Sequence, residues 1–289
     1  MPLDSERAPT SEVLGPLQSA QTDMQADPQS SEDTRGIPLE KVGISRVRYP
    51  INISGWETNG TRQREVEALF DLTVSLASGN RGIHMSRLIE ALHRWKKPLC
   101  TTSLQDFLED IRQQQGAECA EMSCAFTWFV DRPAPQTDHP AWQGIETIWH
   151  ATRNAQGGRS GYTLRIPVTT LCPCSRAISD YGAHSQRGWI TVKIEWQIGD
   201  AMVPPEEIFE KLQYAGSAPI YPLLKRPDER HVTMQAYEQP AFVEDTARKA
   251  ALLLREDSRI SFYRIEVRNE ESIHTHDAIA VVTSHQLPV

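Results

Sequence analysis

The sequence predicts an α+β protein made of two tandem ββααββ modules, each an antiparallel sheet covered on one face by a pair of helices. Three features of the 289-residue chain lead to this prediction. Apolar residues alternate in several short runs, they recur at helical spacing in others, and the same order of elements occurs twice. Open edges of such sheets favour joining into larger closed assemblies.

The first module is assigned to residues 41–157. Gly55 to Gly60 supplies turn residues between its first two strands, and Ser103 is suited to cap the second helix. The predicted strands are 44–53, 64–76, 119–129 and 145–152, and the predicted helices are 86–95 and 104–112.

The second module is assigned to residues 158–289. Its predicted strands are 162–170, 189–196, 259–268 and 278–283, and its predicted helices are 204–214 and 240–255. Pro240 suits the first turn of a helix, which needs no N–H donor there. The stretch 225–231 is predicted to be a loop, because Pro227 interrupts regular structure.

Composition limits the function classes. Residues 1–40 are predicted to be a disordered acidic tail, since residues 1–36 carry seven Asp or Glu against two Arg and little apolar periodicity. The net charge of −8 argues against a nucleic-acid partner that needs broad phosphate neutralisation. No apolar run is long enough to span a membrane, so no membrane partner and a cytoplasmic location are expected. The five cysteines favour reduced thiols or metal ligands over disulfides.

The segment with the most reactive side chains is Leu171-Cys172-Pro173-Cys174-Ser175. It follows a predicted strand and is itself followed by His184. A thiolate is a nucleophile and a metal ligand, and an imidazole supplies a base or a second ligand. His274 and His276, two residues apart, are predicted to project to the same face. With Glu229 they form a plausible mixed-ligand site for zinc or a harder divalent ion.

Each feature also has a structural interpretation. The cysteine pair is typical of small buried residues, Glu229 of a solvated loop, and Glu244 of an acidic group at the positive end of a helix dipole. Arg81, His84 and Arg87 lie in a glycine-containing loop that leads into a helix, which suits either an anion site or a solvated basic surface. The residues alone leave a metal hydrolase acting on an anionic substrate as one possibility.

Five motifs, in this order, resemble the type IB GTP cyclohydrolases over about Val42 to Thr283. They are Arg81-Gly-Ile-His-Met-Ser-Arg87, Leu171-Cys-Pro-Cys-Ser175 with His184, Tyr221-Pro-Leu-Leu-Lys-Arg-Pro-Asp-Glu229, Phe242-Val-Glu-Asp245 and Glu271-Ser-Ile-His-Thr-His276. The resemblance implies a tunnelling fold, in which tandem ββααββ modules close into barrels by homo-oligomerisation, usually as a homotetramer. It also implies conversion of GTP and water to 7,8-dihydroneopterin triphosphate and formate, the first step of tetrahydrofolate biosynthesis, with a divalent zinc, manganese or iron ion.

The resemblance assigns roles to individual residues. Cys174, His184, Glu229 and His274 fall at metal-site positions, with Cys172 beside them. His274 or His276 is the expected proton shuttle, and Cys174 belongs to the reacting centre. Glu244 falls where tunnelling-fold enzymes hold a purine or pterin, and its two oxygens suit guanine N1–H and the 2-amino group. Charge alone suggests Arg81, His84 and Arg87 for the triphosphate, from the same or a neighbouring subunit.

Two other functions compete with this interpretation. Cys172 and Cys174 suit a thiol redox pair, or a Cys174 nucleophile as in the nitrile-reducing tunnelling-fold enzymes. The same residues also suit a metal-stabilised module that binds a pterin or purine without turnover. Formation of a pterin product from GTP distinguishes a cyclohydrolase from both alternatives.

Overall fold

The computed structural model describes residues 29, 31–56, 63–197 and 199–284. The predicted ββααββ order is confirmed in the first half of the chain. Its elements are β1 (Leu39–Ser54), β2 (Gln63–Leu76), α1 (Met85–Arg94), α2 (Thr101–Gln115), β3 (Cys119–Asp131) and β4 (Trp142–Asn154). Most of the predicted disordered tail, residues 1–28 and residue 30, lies outside the described residues.

The second half repeats this order with additional short elements. They are β5 (Gly158–Leu171), α3 (Pro173–Ile178), β6 (Ser185–Gln197), α4 (Pro205–Leu212), β7 (Ala218–Pro219), α5 (Arg226–Glu238), α6 (Val243–Arg255), β8 (Phe262–Glu270) and β9 (Ala278–Thr283). The predicted loop at 225–231 is wrong, because α5 begins there. Pro227 is tolerated in the first turn of the helix, where its missing N–H has no partner to lose. The Asp228 carboxylate caps this turn by accepting the Lys225 N–H at 2.9 Å.

All nine strands form one antiparallel sheet in the order β1-β2-β3-β4-β5-β6-β8-β9, with β7 paired to β5. The two halves are joined within this sheet, because β4 pairs with β5 across a tight turn in which Asn154 donates to the Gly157 carbonyl. β1 and β9 are the outermost strands, and the sheet does not close on itself within the described chain. The predicted α+β class is therefore confirmed, and open edges agree with closure on oligomerisation.

The helices cover one face of the sheet, and the core lies between them. In β3 the side chains alternate strictly, so those of residues 120, 122, 124, 126, 128 and 130 are buried. Trp149 on β4 and Tyr162 on β5 meet around Trp56, with Trp56 and Trp149 ring centroids 5.0 Å apart. The core is thus continuous across the junction of the two halves. Among the described residues, no helix is long and apolar enough to cross a membrane.

Antiparallel pairing also decides which loops meet at which end of the sheet. The pairs Leu171↔Ser185 and Arg187↔Glu270 bring the end of β5, the start of β6 and the end of β8 together. We call this the Cys172 end. The last residues of β2 and the first residues of β5 lie at the opposite end of the sheet. This follows from the pairs Val74↔Ala120, Ala120↔Arg153 and Arg153↔Gly158. The 14 residues of β5 separate the two ends by about 40 Å.

Candidate active site

The cysteine pair lies at the start of α3, directly after β5. Cys172 precedes the helix, and its sulfur accepts the Ser175 N–H at 3.4 Å. The Cys172 N–H donates to the His184 carbonyl at 3.1 Å, and the His184 N–H donates to Ser175 Oγ at 3.3 Å. Cys174 is exposed on the same short helix. Hydrogen bonds therefore hold the Cys172 and His184 segments against each other, and Cys174 lies two residues after Cys172 on the same short helix.

The His184 ring is held by groups from strand β6 and from the loop after β8. Its Nδ1 lies 2.9 Å from Gln186 Oε1, 3.3 Å from Ser272 Oγ and 4.0 Å from Glu271 Oε2. The His184 and Glu271 side chains are 12% and 13% exposed, so the contacts with Gln186 and Glu271 are largely shielded from water. Sequence reasoning assigned no role to Gln186, Glu271 or Ser272. The one available signal was the spacing of His184 and Gln186, since residues two apart in extended chain share a face.

His274 and His276 lie in the loop that joins β8 to β9, which begins at the Cys172 end. Their rings stack with centroids 5.1 Å apart and an interplanar angle of 21°. Both residues are exposed. The two residues precede β9, in the turn that leads into the last strand. The loop reaches His184 through Glu271 and Ser272.

Glu244 is also at the Cys172 end. It lies in the first turn of α6 and is exposed. The Ala241 N–H, just before α6, donates to the Leu171 carbonyl at 3.1 Å, immediately before Cys172. This bond fixes the start of α6, which carries the exposed Glu244 in its first turn, next to the cysteine pair.

Glu229 is less close to the thiols. It is exposed in the first turn of α5, whereas α5 contacts α3 near its other end, where the Arg176 guanidinium lies 4.5 Å from the Tyr237 ring centroid. Tyr237 follows Glu229 by eight positions, which corresponds to about 12 Å of helix. The first turn is instead fixed to the β3–β4 loop by Asp228, which accepts the Gln136 and Thr137 N–H groups at 2.7 and 2.9 Å.

Asp228 is buried but remains ionised. Burial alone would raise its pKa, but hydrogen bonds from Thr137, Lys225 and Gln136 outweigh burial and hold the pKa well below its usual range. This anchor fixes the first turn of α5, and with it Glu229, to the β3–β4 loop at the Cys172 end of the sheet. Among the described residues, Glu229 forms no three-ligand group with the Cys172 and His184 side chains.

Arg81, His84 and Arg87 follow β2 and therefore lie at the opposite end of the sheet. The Arg81 N–H donates to the Ser31 carbonyl at 3.2 Å, His84 precedes α1, and Arg87 Nη1 donates to the Gln114 carbonyl at 3.5 Å. A separation of about 40 Å exceeds the length of one nucleoside triphosphate. In a single chain these cations cannot contact a substrate held beside Cys172.

The donors at the Cys172 end match a borderline divalent cation in chemistry. Thiolate and imidazole are the usual ligands of zinc, and the engaged Nδ1 of His184 leaves Nε2 for a metal. Within residues 29, 31–56, 63–197 and 199–284, however, no three His, Cys, Asp or Glu side chains come together in an arrangement that holds an ion. The donor types fit, and closing the site requires a further ligand to approach.

Comparison with known proteins places the chain in a family. The family model described as type I GTP cyclohydrolase folE2 matches residues 25–280. The GTP cyclohydrolase FolE2 of Kosmotoga olearia is 37% identical over 258 residues, which cover 89% of this chain and 97% of that protein. The GTP cyclohydrolase FolE2 of Paraburkholderia xenovorans is 39% identical over 257 residues, which cover 89% and 93%.

A weaker likeness comes from solved structures. Uricase from Arthrobacter globiformis aligns with 84% of this chain and 92% of its own at 6% identity, with a TM-score of 0.48. That score supports no inference about fold or function. The two FolE2 relatives are 37% and 39% identical over 89% of this chain, and the family model matches residues 25–280. This chain therefore belongs to the type I GTP cyclohydrolase folE2 family.

Proposed function

We propose that this protein is a metal-dependent GTP cyclohydrolase, which converts GTP and water to 7,8-dihydroneopterin triphosphate and formate in the first step of tetrahydrofolate biosynthesis. One observation carries the proposal: Cys172, His184, the loop with His274 and the start of α6 with Glu244 meet at one end of the sheet. The family model and the relatives named GTP cyclohydrolase FolE2 support this activity.

The metal ligands in this proposal are Cys174, His184, Glu229 and His274, with Cys172 as a neighbouring thiol. Glu229 would reach them by a shift of the α5 first turn or from a second copy of the chain. A bound divalent zinc, manganese or iron ion would supply hydroxide near neutral pH for attack at C8 of guanine, because such ions lower the pKa of bound water.

The remaining chemistry belongs to side chains of this protein. His274 or His276 delivers a proton to the ring nitrogen that departs as the guanine imidazole ring opens and formate leaves. Their place on an exposed loop beside His184 supports this role. Glu244 accepts the guanine N1–H and one hydrogen of the 2-amino group, a pair of donors that adenine does not offer.

The triphosphate requires cations, and one chain does not bring Arg81, His84 or Arg87 to the Cys172 end. We assign this role to Arg81, His84 and Arg87 of a neighbouring copy, within a homotetramer. The open edges at β1 and β9 support such an assembly, because unpaired edge strands are available for pairing with another chain. Since its substrate is a cellular nucleotide, we place the reaction in the cytoplasm.

The test is turnover of GTP by protein loaded separately with zinc, manganese and iron under anaerobic conditions. Pterin fluorescence after oxidation and released formate should appear together with at least one metal. Absence of both products with every metal overturns the cyclohydrolase proposal. Binding of GTP without product would indicate a binding module. Full activity in Cys174→Ala removes Cys174 from the site.

A further inference from the structure

Gln186 lies between the candidate ligand His184 and a carboxylate. It is 9% exposed, and it lies at the start of β6. Its Nε2 lies 3.4 Å from Glu271 Oε1, and its Oε1 lies 2.9 Å from His184 Nδ1. A carboxylate only accepts hydrogen bonds, so the amide nitrogen must face Glu271 and the amide oxygen must face the imidazole.

This orientation determines which ring nitrogen of His184 carries the proton. An amide oxygen also only accepts, so the hydrogen of the neutral ring must be on Nδ1 and the lone pair on Nε2. The 3.3 Å contact with Ser272 Oγ is compatible with this state, because a hydroxyl can accept or donate. We infer that Gln186 is a positioning residue that fixes His184 as the Nδ1–H tautomer, with Nε2 directed to the reaction centre.

The tautomer assignment is independent of the proposed function, but its effect on metal binding rests on the proposed function. Ligating imidazoles commonly donate their second ring N–H to an oxygen acceptor, and loss of that acceptor costs about 10- to 100-fold in metal affinity or activity. Glu271 has no direct hydrogen bond to the ring at 4.0 Å. Its part here is to hold the Gln186 amide in one of its two orientations.

The first measurement reads the tautomer directly in metal-free protein. Long-range ¹H–¹⁵N spectra of ¹⁵N-histidine-labelled protein, with His184 assigned from a His184→Gln sample, should show Nδ1–H in the wild type. Gln186→Met keeps the length of the side chain and removes the acceptor, so it should give a mixture of tautomers or the Nε2–H form. Gln186→Glu keeps an acceptor and should retain Nδ1–H.

A matched control separates positioning from folding. Gln105 is 8% exposed and donates to Ser160 Oγ at 2.9 Å, away from His184. Gln105→Met therefore removes a buried amide of the same size, and it should leave the His184 spectrum unchanged. Retention of Nδ1–H in Gln186→Met, or its loss in Gln105→Met as well, overturns the inference. Loss of Nδ1–H in Gln186→Glu overturns it too.

The second measurement is the zinc dissociation constant, determined by competition with a chromophoric chelator. Gln186→Met should bind zinc about 10- to 100-fold more weakly than the wild type, and Gln105→Met should bind it equally well. Equal zinc affinity in all three proteins overturns the positioning role. A wild type that shows Nδ1–H but binds neither zinc, manganese nor iron contradicts the proposed function and leaves the tautomer assignment intact, so the two failures are distinguishable.

Discussion

His150 Nε2 lies 3.4 Å from Glu195 Oε1 although strand β5 runs between them. The register is His150↔Gly161 and Gly161↔Glu195, so the two side chains meet over a residue that has none. Lys193 Nζ approaches the same carboxylate oxygen at 2.6 Å. A glycine on the central strand thus allows a charged cluster to form across three strands on the open face of the sheet.

The first prediction concerns Gly161. A Cβ at this position would overlap His150 Nε2 and would lie 2.5 Å from the Ile194 carbonyl oxygen. Gly161→Ala should therefore lower the free energy of unfolding by about 1–3 kcal/mol, measured by urea denaturation. Gly157→Ala is the matched control, because a Cβ there meets nothing within 4 Å. Equal unfolding midpoints for the two variants would contradict the steric account.

The second prediction is a pH dependence. Contact with His150 lowers the pKa of Glu195 from 4.5 to about 2, against partial burial and with help from Lys193. A depressed folded-state pKa adds stability above the unfolded-state value, and this stability is lost as the pH falls from about 4.5 towards 2. The unfolding midpoint of the wild type should fall more steeply across this window than that of Glu195→Gln. Parallel curves would refute the assignment.

The third prediction concerns guanine recognition. Glu244→Gln replaces one acceptor oxygen by a donor that faces a donor on the substrate. Since a hydrogen bond to a charged group contributes about 1.5–3 kcal/mol, kcat/KM for GTP should fall at least 10-fold. Zinc content should stay at the wild-type level. Glu256→Gln, at the other end of α6, is the control and should behave as the wild type. Loss of metal in Glu244→Gln would show a ligand rather than a base-binding residue.

The fourth prediction follows from the opposite placement of Arg81 and Cys174. If each site combines Cys174 of one copy with Arg81 of another, Cys174→Ala and Arg81→Ala proteins are each inactive. Hybrids from co-expression regain intact sites, and random pairing restores about a quarter of wild-type activity. GTP turnover of purified hybrids measures this. Activity no higher than the sum of the separate variants would mean that Arg81 does not act in a shared site.

The fifth prediction concerns the core. The buried Tyr162 hydroxyl donates to the Val203 carbonyl at 2.7 Å. Tyr162→Phe leaves that carbonyl unpaired, so the free energy of unfolding should fall by about 1–3 kcal/mol. Urea denaturation measures the change, and Tyr181→Phe, at a fully exposed tyrosine, should cause none. A stability change of equal size in both variants would contradict the role of this bond.

Alternation and helical spacing of apolar residues predicted most strands and helices, because these signals lie within each element. The alternation in 119–129 predicted β3, because a half-buried strand repeats every two residues. α5 was missed because Pro227 was interpreted as a breaker, although proline fits a first turn. α3 was missed because Cys172 caps it through sulfur, a weak acceptor outside the usual capping residues.

The candidate site was less predictable from the sequence than the strands and helices. The motif placed Cys172 and His184 close together in sequence, and the spacing of His184 and Gln186 was a local signal, whereas Glu271 reaches Gln186 through a long-range contact that no spacing rule reveals. The end of the sheet to which Arg81 belongs depends on how many strands separate β2 from β5. Each antiparallel step reverses the strand direction, so the answer depends on the order of all strands in the sheet. The residues near Arg81 do not contain that information.

The strand directions also restrict the symmetry of any assembly. β1 and β9 are the outermost strands and run in opposite directions, since each neighbouring pair in the sheet is antiparallel. Rotation about an axis parallel to the strands keeps all Cys172 ends on one side. A dyad perpendicular to the strands instead pairs β1 with its own copy and turns the second chain end over end. The end of the sheet that carries Arg81 in the second chain then lies on the same side of the assembly as Cys172 of the first, and the two halves of the assembly are identical by symmetry.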